Sequence, residues 1–151
     1  MKKGRNTVRV FFLGLVFILV LGTLASCAFA DIFKSEDLIV LDKEKAGGGV
    51  GTLFGKYAFT RDMPPMENPV REIGWLTLKP GDSIGFHKHE VNEDVYIVVS
   101  GTGVFKDSDG KEYDVKPGDI TIARLGQSHA LSNTGKEDLR VISVIAGKTP
   151  K

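Results

Sequence analysis

The stretch GDSIGFHKHEVNEDVYIVVSG, residues 81–101, decides how this chain is read. It sets His87 and His89 two positions apart, follows them with Glu90, Glu93 and Asp94, and runs out through β-branched residues to a glycine. In an extended strand successive side chains alternate between faces, so His87 and His89 project together while Phe86, Lys88 and Glu90 point the other way. Two imidazoles on one face of a β structure need something to bind or solvate them. The chain has only three histidines, and His129 is the third.

Outward from this stretch the pattern is insistently β. REIGWLTL (71–78), SIGFHKH (83–89), DVYIVVS (94–100), ITIAR (120–124) and LRVISVIA (139–146) read as strands, punctuated by Gly and Pro turns. The turn KPGD occurs twice, at 79–82 and 116–119, each time ahead of a strand that leads towards a histidine. Pro presets the first corner of such a turn and Gly takes the positive-φ position after it. Asp109-Gly110 predicts a type I′ hairpin. LIVL (38–41) is a further short strand, TRDMPPMENP (60–69) a loop, and no segment after residue 31 holds a helical period. AGGGVGTLFGKYAF (46–59) has five glycines but not the spacing of a phosphate-binding loop, since Val50 and Tyr57 occupy required positions. Its glycines read as turn and close-packing residues. At 151 residues, with 18 glycines and 6 prolines, the sequence predicts one all-β domain, a sandwich or barrel.

Residues 1–30 carry four basic residues and no acidic ones, followed by the apolar run VFFLGLVFILVLG. This is the layout of an export signal. Three outcomes stay open: LASC (24–27) as a lipoprotein box with lipidation at Cys27, cleavage after Ala30, or an uncleaved anchor. Each places the domain outside the cytoplasm, touching a membrane only through that lipid or anchor. Cys27 is the only cysteine, so no intramolecular disulfide is available. The remaining chain has 16 basic and 19 acidic residues and no basic stripe, which argues against nucleic-acid binding.

The histidines sit in two spaced motifs. The first runs Gly81, five residues, His87, Lys88, His89, four residues, Asp94, six residues, Gly101; the second runs Gly118, five residues, Arg124, Leu125, Gly126, two residues, His129, three residues, Asn133. Both resemble the paired motifs of the cupin superfamily, in particular its small single-domain bacterial members. Two positions depart: Asp94 stands where Glu is usual, and Arg124 where Pro is usual.

The resemblance implies a single jelly-roll barrel, with 31–70 as an N-terminal strand and loop extension and 71–147 as the barrel core. It also implies one divalent transition metal (Mn, Fe, Ni, Co or Zn) held by His87, His89, Asp94 and His129. Asp reaches about 1.5 Å less far than Glu. Glu93, one residue earlier, therefore stays open as an alternative ligand, although a regular strand turns it to the opposite face. Tyr96 shares the Asp94 face and reads as a core aromatic or as a hydroxyl facing ligand or substrate. Asn133 reads as a turn residue or as a contact behind His129. A homodimer is a further implication, with the 38–41 strand as the segment that would pair across it. The expected activity is that of a mononuclear-metal enzyme on a small oxygen-rich substrate, of dioxygenase, decarboxylase or isomerase type. The alternative is a non-catalytic module that binds a sugar or carboxylate at the cell surface.

Overall fold

A computed structural model describes residues 30–65 and 67–147; residues 1–29, which hold Cys27 and nearly all of the stretch expected to be an export signal, lie outside the described residues. The strands are β1 (Ile39–Val40), β2 (Lys43–Glu44), β3 (Thr52–Phe59), β4 (Val70–Leu78), β5 (Ser83–Lys88), β6 (Glu93–Ser100), β7 (Gly103–Lys106), β8 (Glu112–Val115), β9 (Ile120–Ala123), β10 (Ser128–Ser132) and β11 (Leu139–Ala146). A single 3-10 turn, Ala46–Gly48, is the only helical element among the described residues. A seven-stranded sheet runs in the order β1-β3-β4-β11-β6-β9, with β2 on β3, and faces a four-stranded sheet ordered β5-β10-β7-β8. Sequential neighbours often lie in different sheets, as a jelly roll requires.

Period-two burial builds the interior. Along β11, Leu139, Val141, Ser143 and Ile145 are buried while the residues between them are not; β6 buries Asp94, Tyr96 and Val98 in the same way. These faces meet Leu53, Leu76, Leu78, Ile84, Phe105 and Leu131 in one core. Both KPGD turns form as the sequence predicts. Asp82 N bonds to Lys79 O at 2.9 Å and Asp119 N to Lys116 O at 3.0 Å, with Gly81 and Gly118 at φ 88° and 95°. The type I′ expectation at Asp109-Gly110 fails, because Gly110 alone has positive φ (85°). Bonds from Gly110 N to Asp107 O and from Asp107 N to Lys111 O, both 2.9 Å, close a longer loop in which glycine takes the left-handed position. Strand 39–40 pairs with β3 of its own chain and forms one edge of the larger sheet.

One irregularity positions the site. In the β5–β10 ladder His129 faces His87 and Leu131 faces Ile84, so the single residue Ala130 stands opposite two, Gly85 and Phe86. This is a β-bulge, and it resets the alternation of the strand. Ile84 is buried, Phe86 is 50% exposed, and His87 and His89 both turn inward. Without the extra residue, Ile84 and the histidines would occupy opposite faces. Gly85 also lies beneath the glycine-rich segment, where a Cβ would strike the Gly47 carbonyl oxygen and come 2.6 Å from Gly48 C.

Gly85→Ala should therefore cost on the order of 1–3 kcal/mol of unfolding free energy, because the obstructing atoms are backbone. Denaturant titration checks this, and a loss under about 0.5 kcal/mol would mean the segment yields freely.

Candidate metal centre

His87 on β5, His89 just past its end, and His129 on β10 come from the smaller sheet; Asp94 on β6 comes from the larger one. Their ligand atoms all lie within 4.8 Å of one another. His89 Nε2 is 3.1 Å from His87 Nε2 and 2.9 Å from His129 Nε2. Asp94 Oδ2 lies 3.8 Å from His89 Nε2 and 3.6 Å from His129 Nε2. The sequence-predicted quartet is thus brought to one point between the two sheets.

The tautomers follow from the outer nitrogens. His87 Nδ1 donates to Gly85 O at 2.8 Å, the carbonyl of the bulge itself, and His89 Nδ1 donates to Asn92 Oδ1 at 2.7 Å. An imidazole with its proton on Nδ1 presents a lone pair at Nε2. Two such lone pairs about 3 Å apart repel unless a cation lies between them. Two nitrogens bound at right angles to one first-row ion, each at about 2.1 Å, sit about 3.0 Å apart. The spacing and the three-nitrogen, one-oxygen donor set fit a divalent transition metal.

Burial governs the charges. Desolvation raises the Asp94 carboxyl to about 6, opposed by hydrogen bonds from the Tyr96 and Ser143 hydroxyls, the latter donating to Oδ1 at 3.0 Å. Desolvation, with help from His87 and His89, lowers His129 to about 3, so its ring is neutral at ordinary pH. The Tyr96 ring stacks on His129 with centroids 5.0 Å apart and an interplanar angle of 16°, so Tyr96 serves both as a wall and as a donor to Asp94.

Glu93 is placed elsewhere. Its carboxylate lies 3.3 Å from the Arg124 guanidinium, and Glu90 sits 3.7 Å from the Lys88 ammonium. Neither belongs to the cluster. Asn133, fully buried, donates from Nδ2 to Leu78 O and Glu137 O, both at 2.8 Å, and accepts from Gly135 N at 2.9 Å. Its amide ties the end of β4 to the turn before β11. Sequence reasoning missed Asn92 and Ser143. Ser143 carried a signal, being the one polar residue among the inward positions of LRVISVIA. A cavity of about 260 Å³ opens beside the cluster, and its lining includes His87, Asp94, Tyr57, Arg61, Glu72 and Lys43.

Comparison with known proteins places this geometry. A family model described as Cupin domain matches residues 74–145. An oxalate-binding protein of Thermotoga maritima is 37% identical over 98 residues, covering 65% of this chain and 78% of that protein. A crystal structure described as a predicted oxalate decarboxylase from Thermotoga maritima is 32% identical with a TM-score of 0.69, covering 78% of this chain and 99% of that one. An uncharacterized Klebsiella pneumoniae protein with a double-stranded beta-helix domain, 24% identical with a TM-score of 0.58, covers 82% of this chain and 95% of that one, a likeness of fold alone.

Asn133→Ala should cost on the order of 2 kcal/mol, since three backbone groups lose their partner. Metal uptake by the folded variant should stay within about twofold of wild type, because the amide makes no contact with the histidines. Denaturation and metal titration on the same preparation check both halves.

Proposed function

This chain belongs to the cupin domain family, and from that premise we propose that it binds one divalent first-row metal ion through His87, His89, His129 and Asp94 and holds a small dicarboxylate of the oxalate class at that ion. The observation that carries the proposal is the convergence of three Nε2 atoms, that of His89 lying 3.1 and 2.9 Å from the other two, with a carboxylate closing the set. When bound, the ion supplies Lewis-acid attraction for ligand oxygens at the positions the protein leaves open. The oxalate-binding relative and the oxalate decarboxylase-like structure support the ligand class.

The chain's own groups divide the work. Gly85 O and Asn92 keep His87 and His89 in the tautomer that faces inward. Ser143 and Tyr96 fix the Asp94 carboxylate. Tyr96 and Phe105 cover the His129 ring and keep water from it. Turnover of the bound acid is the second reading, and Glu72 favours it: a carboxylate only 5% exposed in the same cavity can accept or return a proton. The proposal extends to location and assembly. Residues 1–30 export the domain, by lipidation of Cys27, cleavage after Ala30 or an uncleaved anchor, and two copies associate. Val40, Trp75 and Val99, exposed on the larger sheet, support that association.

Protein purified without a chelating tag should hold close to one metal per chain, and His87→Ala below about 0.1. Because Asp94 must lose its proton to bind, metal affinity should rise as pH climbs through about 6. His129, neutral down to about 3, does not compete in that range. Asp94→Asn should weaken metal binding and reduce this dependence to the part that the histidine ligands contribute. Elemental analysis and a metal titration at stepped pH check these outcomes; a metal-free wild type after reconstitution would sink the proposal.

A further inference from the structure

Tyr57 is the buried group that the metal cluster leaves unused. Its side chain is 1% exposed, and its hydroxyl has no hydrogen-bond partner. Buried hydroxyls are normally paired, so an orphan beside a cavity points to a missing ligand. The sequence makes room for it deliberately on both sides. Gly55 precedes it by two residues on the same inward face, and Gly74 stands directly opposite on β4. A Cβ on Gly55 would lie 2.6 Å from the Tyr57 hydroxyl oxygen, and one on Gly74 would lie 2.6 Å from its ring. The two glycines let the phenol lie flat against the inner face of the larger sheet, and Lys43 caps it with its ammonium 5.1 Å from the ring centroid.

Arg61 reaches the same cavity from the 60–69 loop. That loop is stapled by Arg71, 7% exposed, whose guanidinium donates to Arg61 O and Pro65 O, each at 2.6 Å. Arg61 Nε then sits 3.6 Å from Glu72, half exposed at the cavity wall. Lys43 and Arg61 balance Glu72 and Asp94 in charge, so a divalent ion would leave an excess matched by a dianion and not by a neutral sugar. The cavity of about 260 Å³ holds roughly nine water volumes, room for a dicarboxylate of two or three carbons.

We propose that Tyr57 and Arg61 form a second anchor in this cavity, binding the carboxylate of a short dicarboxylate that lies away from the metal. This rests on the metal reading of the histidine cluster. The anchor would make the site select dicarboxylates over monocarboxylates of similar size, because only the former reach both stations.

The test is calorimetric titration of manganese-loaded protein with oxalate and with formate, in wild type, Tyr57→Phe and Arg61→Gln. Oxalate should bind about tenfold or more weakly in each variant, with formate within about twofold of wild type and metal content unchanged. Metal-free Tyr57→Phe should melt no lower than wild type, since the change removes an unpartnered donor. Oxalate affinity retained in both variants would overturn the anchor and leave the metal reading standing. Loss of metal from Tyr57→Phe would overturn it too, by making Tyr57 a support of the cluster. A manganese-loaded wild type that ignores oxalate would overturn both the anchor and the proposed ligand class.

Discussion

Three crowded imidazole nitrogens, that of His89 lying 3.1 and 2.9 Å from the other two, are the constraint on which the rest of this molecule turns. The inward lone pairs of His87 and His89 repel, so those two rings are fixed from behind, while His129 is held by packing. The Gly85 carbonyl fixes His87, Asn92 fixes His89, and aromatic walls from Tyr96 and Phe105 enclose His129. The opposing sheet contributes the negative charge. Asp94 is drawn into a buried position where its own desolvation works against ionisation, and two hydroxyls partly offset that cost. A jelly roll suits such a site, because its two inner faces meet at a cavity that neither sheet could form alone.

The β5 bulge converts an ordinary strand into a site-bearing one. A regular strand through residues 83–89 cannot bury Ile84 and also turn His87 and His89 inward. The extra residue at Gly85-Phe86 resolves the conflict and exposes a carbonyl that then orients His87. Gly85 suits this place because the Gly47–Gly49 segment packs directly on it. The glycine-rich stretch that looked like generic turn material is thus the outer support of the bulge, and one of its later glycines clears space for Tyr57.

What was legible in the sequence follows from how local each signal is. Strand alternation, the repeated KPGD turns and the fixed spacing of three histidines are local, and they specified the all-β fold and a shared histidine face. Asp94 belonged to the same face as Tyr96 by simple alternation. Asn92, the bulge and the Tyr57–Arg61 pair were not legible, because each depends on contacts between strands far apart in the chain. Glu72 and Ser143 fall between these cases. Both are polar residues at inward positions of apolar strands, a local signal that points to a buried site without saying what it binds. The Asp109-Gly110 hairpin shows the limit of turn statistics: Asp109 uses its carboxylate on Lys111, bonding that amide at 2.9 Å and that ammonium at 2.8 Å, and leaves the positive φ to Gly110 alone.

The two departures from the motif pattern answer one another. Asp94 is a methylene shorter than the usual Glu, and its Oδ2 stands 3.6–3.8 Å from the nearest imidazole nitrogens, set back relative to the 2.9–3.1 Å between the imidazoles. A longer carboxylate, Glu93, is available one residue away. Arg124, at the other departure, lies 3.3 Å from Glu93 and holds it on the outer face. An ion pair this exposed adds little to stability, so its value lies in where it keeps the carboxylate. With Glu93 engaged outside, the cluster is left with the short carboxylate alone, and a metal seated there would be held chiefly by nitrogen. An ion there would keep more of its charge for an incoming anion, in keeping with the dicarboxylate proposed for this cavity.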